Sequence, residues 1–366
     1  MSDTYSVSEE LPKRSFLSAQ IDLSKFNDKQ FEKATDEEKA QAEVMGESTT
    51  FWRDVWRRLK KNKLAMGSLV VLIIIVIAII FIPMFCPYSY ETMISVDGVR
   101  DKGATNLTPF QYSEAEQAYM EETGETLWPH ILGTDSLGRD YFIRVIYGTR
   151  VSLAVGLVAA VMETIIGVLY GTIAGYFGGK VDLVMMRIVD VIYSLPDTLL
   201  IILLSVVLNE NLSEYIEGTV LASLGANIIS MFIVFALLYW VSMARLVRGE
   251  ILRIKNNEYV LAAQATGASA RSIMFKHIIP NCLPIIIITA ALQVPSAIFT
   301  ESYLSFIGLG VSAPMPSLGS LANAARDSMQ SYPMRLIAPS VMITLIVLAL
   351  NLLGDGLRDA TDTKLK

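Results

Sequence analysis

Two cysteines and two histidines are all that the 366 residues contain, and that scarcity excludes several kinds of protein. Cys86 and Cys282 stand at the ends of apolar runs and offer neither a disulfide framework nor metal-ligand spacing. His130 and His277 are far apart in sequence, which argues against a metal site. Charge is thin as well: Asp, Glu, Lys and Arg make up 18% of the chain, against roughly 25% in an ordinary soluble domain. A net charge of −6 without a basic face argues against a nucleic-acid partner. No loop fits a phosphate. In the stretch from Gly175 to Asp182, Ala174 stands where a phosphate loop needs its first glycine, and Val181 where it needs Ser or Thr for magnesium. The chain therefore reads as a non-enzyme with no catalytic residue, metal or cofactor of its own.

Apolar sequence is what it has in abundance. Hydrophobic residues make up 52% of it, and the mean hydropathy is +0.46. A hydrocarbon core about 30 Å thick needs roughly 20 such residues in a helix. Six stretches meet or approach that length, at 64–85, 152–176, 184–208, 220–243, 278–299 and 336–353. The first follows about 60 largely polar residues, too long and acidic a lead for a signal peptide, and is read as a permanent anchor. The predicted fold is an all-α integral membrane protein with six transmembrane helices. Its segments are a polar cytoplasmic tail at 1–49 and an interfacial amphipathic helix at 50–63, where Phe51, Trp52, Val55, Trp56 and Leu59 share a face. A first span at 64–86 and an external segment at 87–151 follow. A five-helix core occupies 152–354, with a cytoplasmic loop at 244–277, and a short tail closes the chain at 355–366.

Lys and Arg crowd three flanks: 53–63, 245–276 and the C-terminal tail. Six spans put these on one side, which the distribution of basic residues assigns to the cytoplasm, with both termini inside. In the external segment, Thr134, Asp135 or Ser136 is placed to cap a short helix whose Phe142, Val145 and Ile146 face the membrane surface. Gly167, Gly171 and Gly175 repeat every fourth residue in the second span, a row that lets helices pack closely in lipid. Glu163 lies midway along that span. An acid at such depth is either part of a translocation path or a hydrogen-bonded or protonated packing group. Glu301, followed by Ser302 and Ser305, sits beyond the fifth span. It could meet a substrate amine or hold the glycine-rich bend at Gly308 and Gly310. Arg187 and Asp190, three apart, are positioned to pair on one helix face.

The polar loop between the fourth and fifth apolar stretches is the most informative feature. Asn256-Asn257 can cap a helix whose first turn carries Glu258. Ala262 and Ala263 permit close approach, Gly267 can end the helix in a left-handed conformation, and Ser269 can cap a second helix running to Pro280. The result is a helix–turn–helix finger.

Ala262-Ala263, three residues, Gly267, nine residues and then His-Ile-Ile-Pro280 resemble the cytoplasmic loop of ABC-importer permeases. The general pattern has Ile and Leu where this chain has His277 and Ile279, and the histidine resembles the oligopeptide and dipeptide branch. The stretches beginning at Gly133, Gly175 and Glu301 support that branch, specifically the second of two paired oligopeptide permeases. The resemblance covers about residues 50–360. It implies the type I (MetI-like) permease architecture in a bacterial cell membrane. A second, homologous permease would complete a heterodimer, two cytoplasmic ATPase subunits would bind ATP and Mg, and an extracytoplasmic protein would deliver peptide. It also implies an ATPase-coupling surface of Glu258, Tyr259, Ala262, Ala263, Gly267, Ala268 and Pro280. Two alternatives stay open: the same architecture carrying dipeptides or nickel chelates, and a proton-coupled secondary transporter working through Glu163.

Overall fold

The computed structural model describes residues 51–216, 218–219, 225–311 and 313–361. The expectations for the tail at 1–49, for residues 220–224 of the fourth apolar stretch and for the last five residues lie outside them. Among the described residues, five helices are long and apolar enough to cross a membrane, or six when a bent pair is counted as one span. The chain is a multi-pass, mostly helical membrane protein.

Helix α1 (Phe51–Leu59) turns Val55 and Leu59 inward, while Trp52 and Trp56 stay about half exposed. Asn62 then caps α2 (Lys63–Phe85) by accepting from the amides of Leu64 and Ala65. This helix is apolar all round. Its Ile75 and Ile79 enter the bundle, whereas Ile73, Ile74, Ile77 and Ile80 stay exposed, as a lipid-facing helix requires.

A small lobe follows, with a hairpin of β1 (Ser95–Val96) and β2 (Val99–Arg100) and the helix α3 (Glu114–Thr123). Ser113 and Glu116 cap α3 reciprocally, and Gly124 ends it at φ +71°. The short helix expected after residue 134 does not form separately. Asp140 caps α4 (Tyr141–Phe177), one continuous helix in which Val145 and Ile146 are buried in the bundle rather than laid on the membrane surface. The physical reason is that Asp135 is occupied elsewhere, accepting from the Leu137 and Arg139 amides and pairing with the Arg139 side chain at 2.7 Å.

The second half of α4 turns at Gly178 into α5 (Gly179–Ser194), which runs back beside it. The Tyr170 hydroxyl donates to the Met185 carbonyl at 2.8 Å, and Val189 packs on Ile166 and Tyr170. The expected third span is not straight. After Leu195-Pro196 the chain bends by 88° into α6 (Asp197–Ile216), because proline forbids the regular bond and biases its predecessor out of the helix. The fourth span is α7 (Ala226–Leu238) continued by α8 (Val241–Ile254). Beyond the finger, α11 (Ile279–Phe306), the short α12 (Leu318–Ala325) and α13 (Met334–Thr361) complete the bundle.

The small lobe is tied to the bundle by buried polar bonds. Arg335, near the start of α13, donates to the Thr134 carbonyl at 2.5 Å and to Asn106 Oδ1 at 2.8 Å, and its own carbonyl accepts from the Tyr141 hydroxyl. His130 is fully enclosed, with Nδ1 at 2.8 Å from Asp140 Oδ2 and Nε2 at 3.0 Å from Glu116 Oε1. The other oxygen of each acid accepts a backbone amide, Asp140 Oδ1 from Ile143 and Glu116 Oε2 from Ser113, and a charged imidazole donates to both acids. Burial alone would push the imidazole down. The bonds to Asp140 and Glu116 outweigh it and lift His130 from 6.5 to about 9, with the Tyr88 and Tyr112 rings as its other neighbours.

A histidine raised in the folded state stabilises fully below its unfolded value of 6.5 and loses that contribution as pH rises through about 9. Thermal unfolding of the detergent-solubilised protein should therefore show His130→Ala costing on the order of 3 kcal/mol near pH 6. The gap to the unmutated chain should narrow steadily from about pH 6.5 to about pH 9 and level off above that.

Candidate functional site

At one end of the bundle, α8 runs past Lys255 into a finger of α9 (Glu258–Ala265) and α10 (Ala270–Ile273). Asn257 starts α9 from an extended backbone without a side-chain capping bond. The end of α9 is more tightly specified. Gly267 takes φ +81°, its amide donates to the Gln264 carbonyl at 3.0 Å, and the Ala268 amide reaches the Ala263 carbonyl at 3.1 Å. This pair of bonds closes the helix C-terminus around a left-handed residue. Nothing lies within 4 Å of where a Gly267 Cβ would stand, so conformation rather than space demands glycine there. Ser269 accepts from the Ser272 amide to cap α10, and a widened π turn at 274–278 joins the finger to α11 before Pro280.

The finger has two faces. Val260, Ile273, Ile278 and Cys282 are buried together with Ile251 and Ile254 of α8. Glu258, Tyr259, Leu261, Ala262 and Gly267 are exposed, with Ala263 and Ala268 half-buried behind them and Phe275 exposed beside them. The outer face of the finger thus combines an acid, two small residues and exposed aromatic and aliphatic groups.

The finger is anchored to the bundle through α8. A Cβ on Gly167 would strike Met243, one on Gly171 the Ala244 carbonyl, and one on Gly175 the Arg248 carbonyl. The glycine row is thus the seam where α4 meets the helix that becomes the finger. Along the same helix α8, Arg248 holds Asp182 of α5 with two hydrogen bonds, and Arg245 pairs with Asp190 at 2.8 Å while lying over the Tyr193 ring. Asp190 therefore does not pair with Arg187 as its spacing suggested. A partner fixed by tertiary packing wins over one three residues away.

α5 leads from these ion pairs to the break at Pro196. The break opens a cleft whose two contiguous cavities, about 610 and 430 Å³, both include Asp197 and Tyr239. Thr198, Ser296, Thr300, Tyr303 and Asn351 supply further polar lining to the larger cavity.

Comparison with known proteins places this geometry. Residues 167–366 match the binding-protein-dependent transport system inner membrane component family, and residues 50–109 match the N-terminal membrane domain of oligopeptide transport permease C. The chain belongs to the binding-protein-dependent transport permeases. Among its relatives is the oligopeptide transport system permease protein OppC of Bacillus subtilis, 38% identical over 88% of this chain and 93% of the relative. The dipeptide transport system permease protein DppC of the same organism is 39% identical over 87% and 88%. The glutathione transport system permease protein GsiD of Pectobacterium atrosepticum is 36% identical over 87% and 92%.

In this permease the acids singled out from sequence stand apart from the cleft. Glu301 is fully enclosed, accepting from Ser305 at 2.8 Å and Ser302 at 3.3 Å, with the Ser152 and Ser317 hydroxyls also facing it. Ser305 in turn accepts from the Val311 amide, so this knot of hydroxyls holds the bend after α11. Glu163 is enclosed, and its Oε1 has no hydrogen-bond partner among the described residues. Neither residue is among those lining the two cavities. Asp197 and Tyr239 do line them, and sequence reading passed over both. The available signal was Pro196-Asp197, a proline and an acid together inside an apolar run.

Glycine at the α4–α8 seam makes a sharp expectation. Gly171→Leu should cost about 3 kcal/mol by overpacking and lower the Tm of the purified protein. Gly249→Leu, at an exposed site on the same α8 with nothing within 4 Å of its Cβ, should leave the Tm unchanged. Equal effects would contradict the seam.

Proposed function

We propose that the chain is one membrane-spanning half of an ATP-driven importer of short peptides. The observation that carries this is the capped, two-faced finger built rigidly onto α8 and α4, in a chain with no phosphate-binding loop of its own. Family membership supports a transport permease and removes the ground for a proton-coupled carrier working through Glu163. Relatives named for oligopeptides, dipeptides and glutathione stand at nearly equal identity, so overall similarity points to short peptides without ranking their lengths.

In this reading the finger end faces the cytoplasm. The basic residues from Arg53 to Lys63 and from Arg245 to Lys276 favour that orientation, and both termini lie inside. Two ATPase subunits bind ATP and Mg and receive the finger through Glu258, Tyr259, Ala262, Ala263, Gly267 and Ala268, with Pro280 fixing the exit into α11. A second, homologous permease faces the Asp197 cleft and completes the path, and an extracytoplasmic binding protein delivers peptide to the opposite end. Closure of the ATPases moves the finger, and the α4–α8 seam and the arginine–aspartate pairs carry that motion to α5 and the break at Pro196. A nearly complete switch between two states requires roughly 5.5 kcal/mol of differential binding, which ATP binding to the partner subunits supplies.

The test is reconstitution of the full transporter in proteoliposomes. Glu258→Ala, which removes a charge-assisted contact, and Gly267→Val, which strains a backbone at φ +81°, should insert and assemble the membrane bundle normally, yet each reduce ATP-dependent peptide uptake at least about tenfold. Undiminished uptake in both variants would overturn the coupling role of the finger.

A further inference from the structure

The broken span puts a carboxylate where a membrane protein rarely leaves one exposed. α5 climbs beside the second half of α4, so Asp197 arrives near the depth of Glu163, midway along α4, and Tyr239 lies within electrostatic reach of both. Unlike Glu163 and Glu301, which are enclosed, Asp197 is open to the cleft. An ionisable side chain at this depth that faces a cavity is costly unless it serves the cavity's contents, and broken helices place ligand sites near the midplane in transporters.

The neighbouring Thr198 accounts for only half of the group. Oδ1 accepts from the Thr198 amide at 2.7 Å and the Thr198 hydroxyl at 3.3 Å, while Oδ2 accepts no hydrogen bond from any described residue. Tyr239 and Tyr303 stand in the same cavity, with Tyr239 held by its hydroxyl against Thr300 at 3.2 Å. No Lys, Arg or His lines either cavity. A free carboxylate oxygen among tyrosine rings and hydroxyls, with no cation to neutralise it, recognises a primary ammonium.

We infer that Asp197 is the subsite in the transport path that receives the protonated amino group of the translocated peptide. The assignment rests on the peptide-importer reading and specifies which end of the cargo this half of the path holds. Either a peptide amino terminus or a lysine side chain supplies the same ammonium, and the choice of probes separates them.

Asp197→Asn preserves the oxygen that accepts from Thr198 and removes the charge. The experiment measures uptake by the complete reconstituted transporter, unmutated and D197N, of three peptides: tetra-alanine, N-acetyl-tetra-alanine and N-acetyl-tetra-alanine extended by lysine. D197N should raise the KM for tetra-alanine about tenfold and leave the N-acetylated form unaffected. An equal rise for the lysine peptide assigns the subsite to any primary ammonium, and no rise restricts it to the amino terminus. Unchanged KM for all three, or the same change for all three, overturns the assignment while leaving the importer reading intact. Failure of the unmutated transporter to take up any of the three would remove the importer reading and the assignment with it.

Discussion

Close contact between α4 and α8 is the constraint on which the rest of the structure depends. Helices in lipid gain little from hiding apolar surface from one another, so they associate through packing and local polar bonds. Gly167, Gly171 and Gly175 let the backbone of α8 approach until its carbonyls and Met243 fill the space a Cβ would take. That contact fixes α8, and α8 is the root of the finger. A push on Val260 or Ile273 from outside therefore reaches Ile251 and Met243 through continuous buried packing, and from there the long helix α4.

Polar groups then give this rigid body its connections. Arg248 and Arg245 join α8 to Asp182 and Asp190 of α5, and α5 ends at the bend that opens the cleft. At the opposite end, Arg335 and His130 tie the small lobe to the starts of α13 and α4. Each connection satisfies backbone or carboxylate groups that burial would otherwise leave costly. The small lobe is thereby a fixed cover over one end of the bundle rather than a loose loop.

Much of the finger was legible in sequence because its signals are local. Gly267 and Ser269 do what a left-handed terminator and a helix cap do, and the four-residue spacing of the glycines survives directly as the α4–α8 seam. The apolar runs likewise announced the spans. What sequence could not reveal depends on partners far along the chain. Asp190 meets Arg245 rather than Arg187, and Glu301 is ringed by serines that include Ser152 of α4 and Ser317 from before α12. The break at Pro196 was hidden because apolar sequence continues on both sides, and hydropathy reports composition but not direction. His130 escaped notice for a related reason: a search for metal spacing asks about other histidines and cysteines, whereas its partners are two helix-capping acids.

The central claim is that the finger and α4 move as one body, and a distance between them tests it most directly. Spin labels at Leu261 on the finger and Leu169 on α4, both exposed, would be placed in a Cys86→Ser, Cys282→Ala background within the assembled transporter. Electron–electron double resonance would then compare the nucleotide-free and ATP-trapped states. The account predicts the same distance in both while the transporter as a whole changes state. A shift of about 5 Å, one helical turn, would mean that the finger flexes on its own and that the α4–α8 seam does not carry the motion.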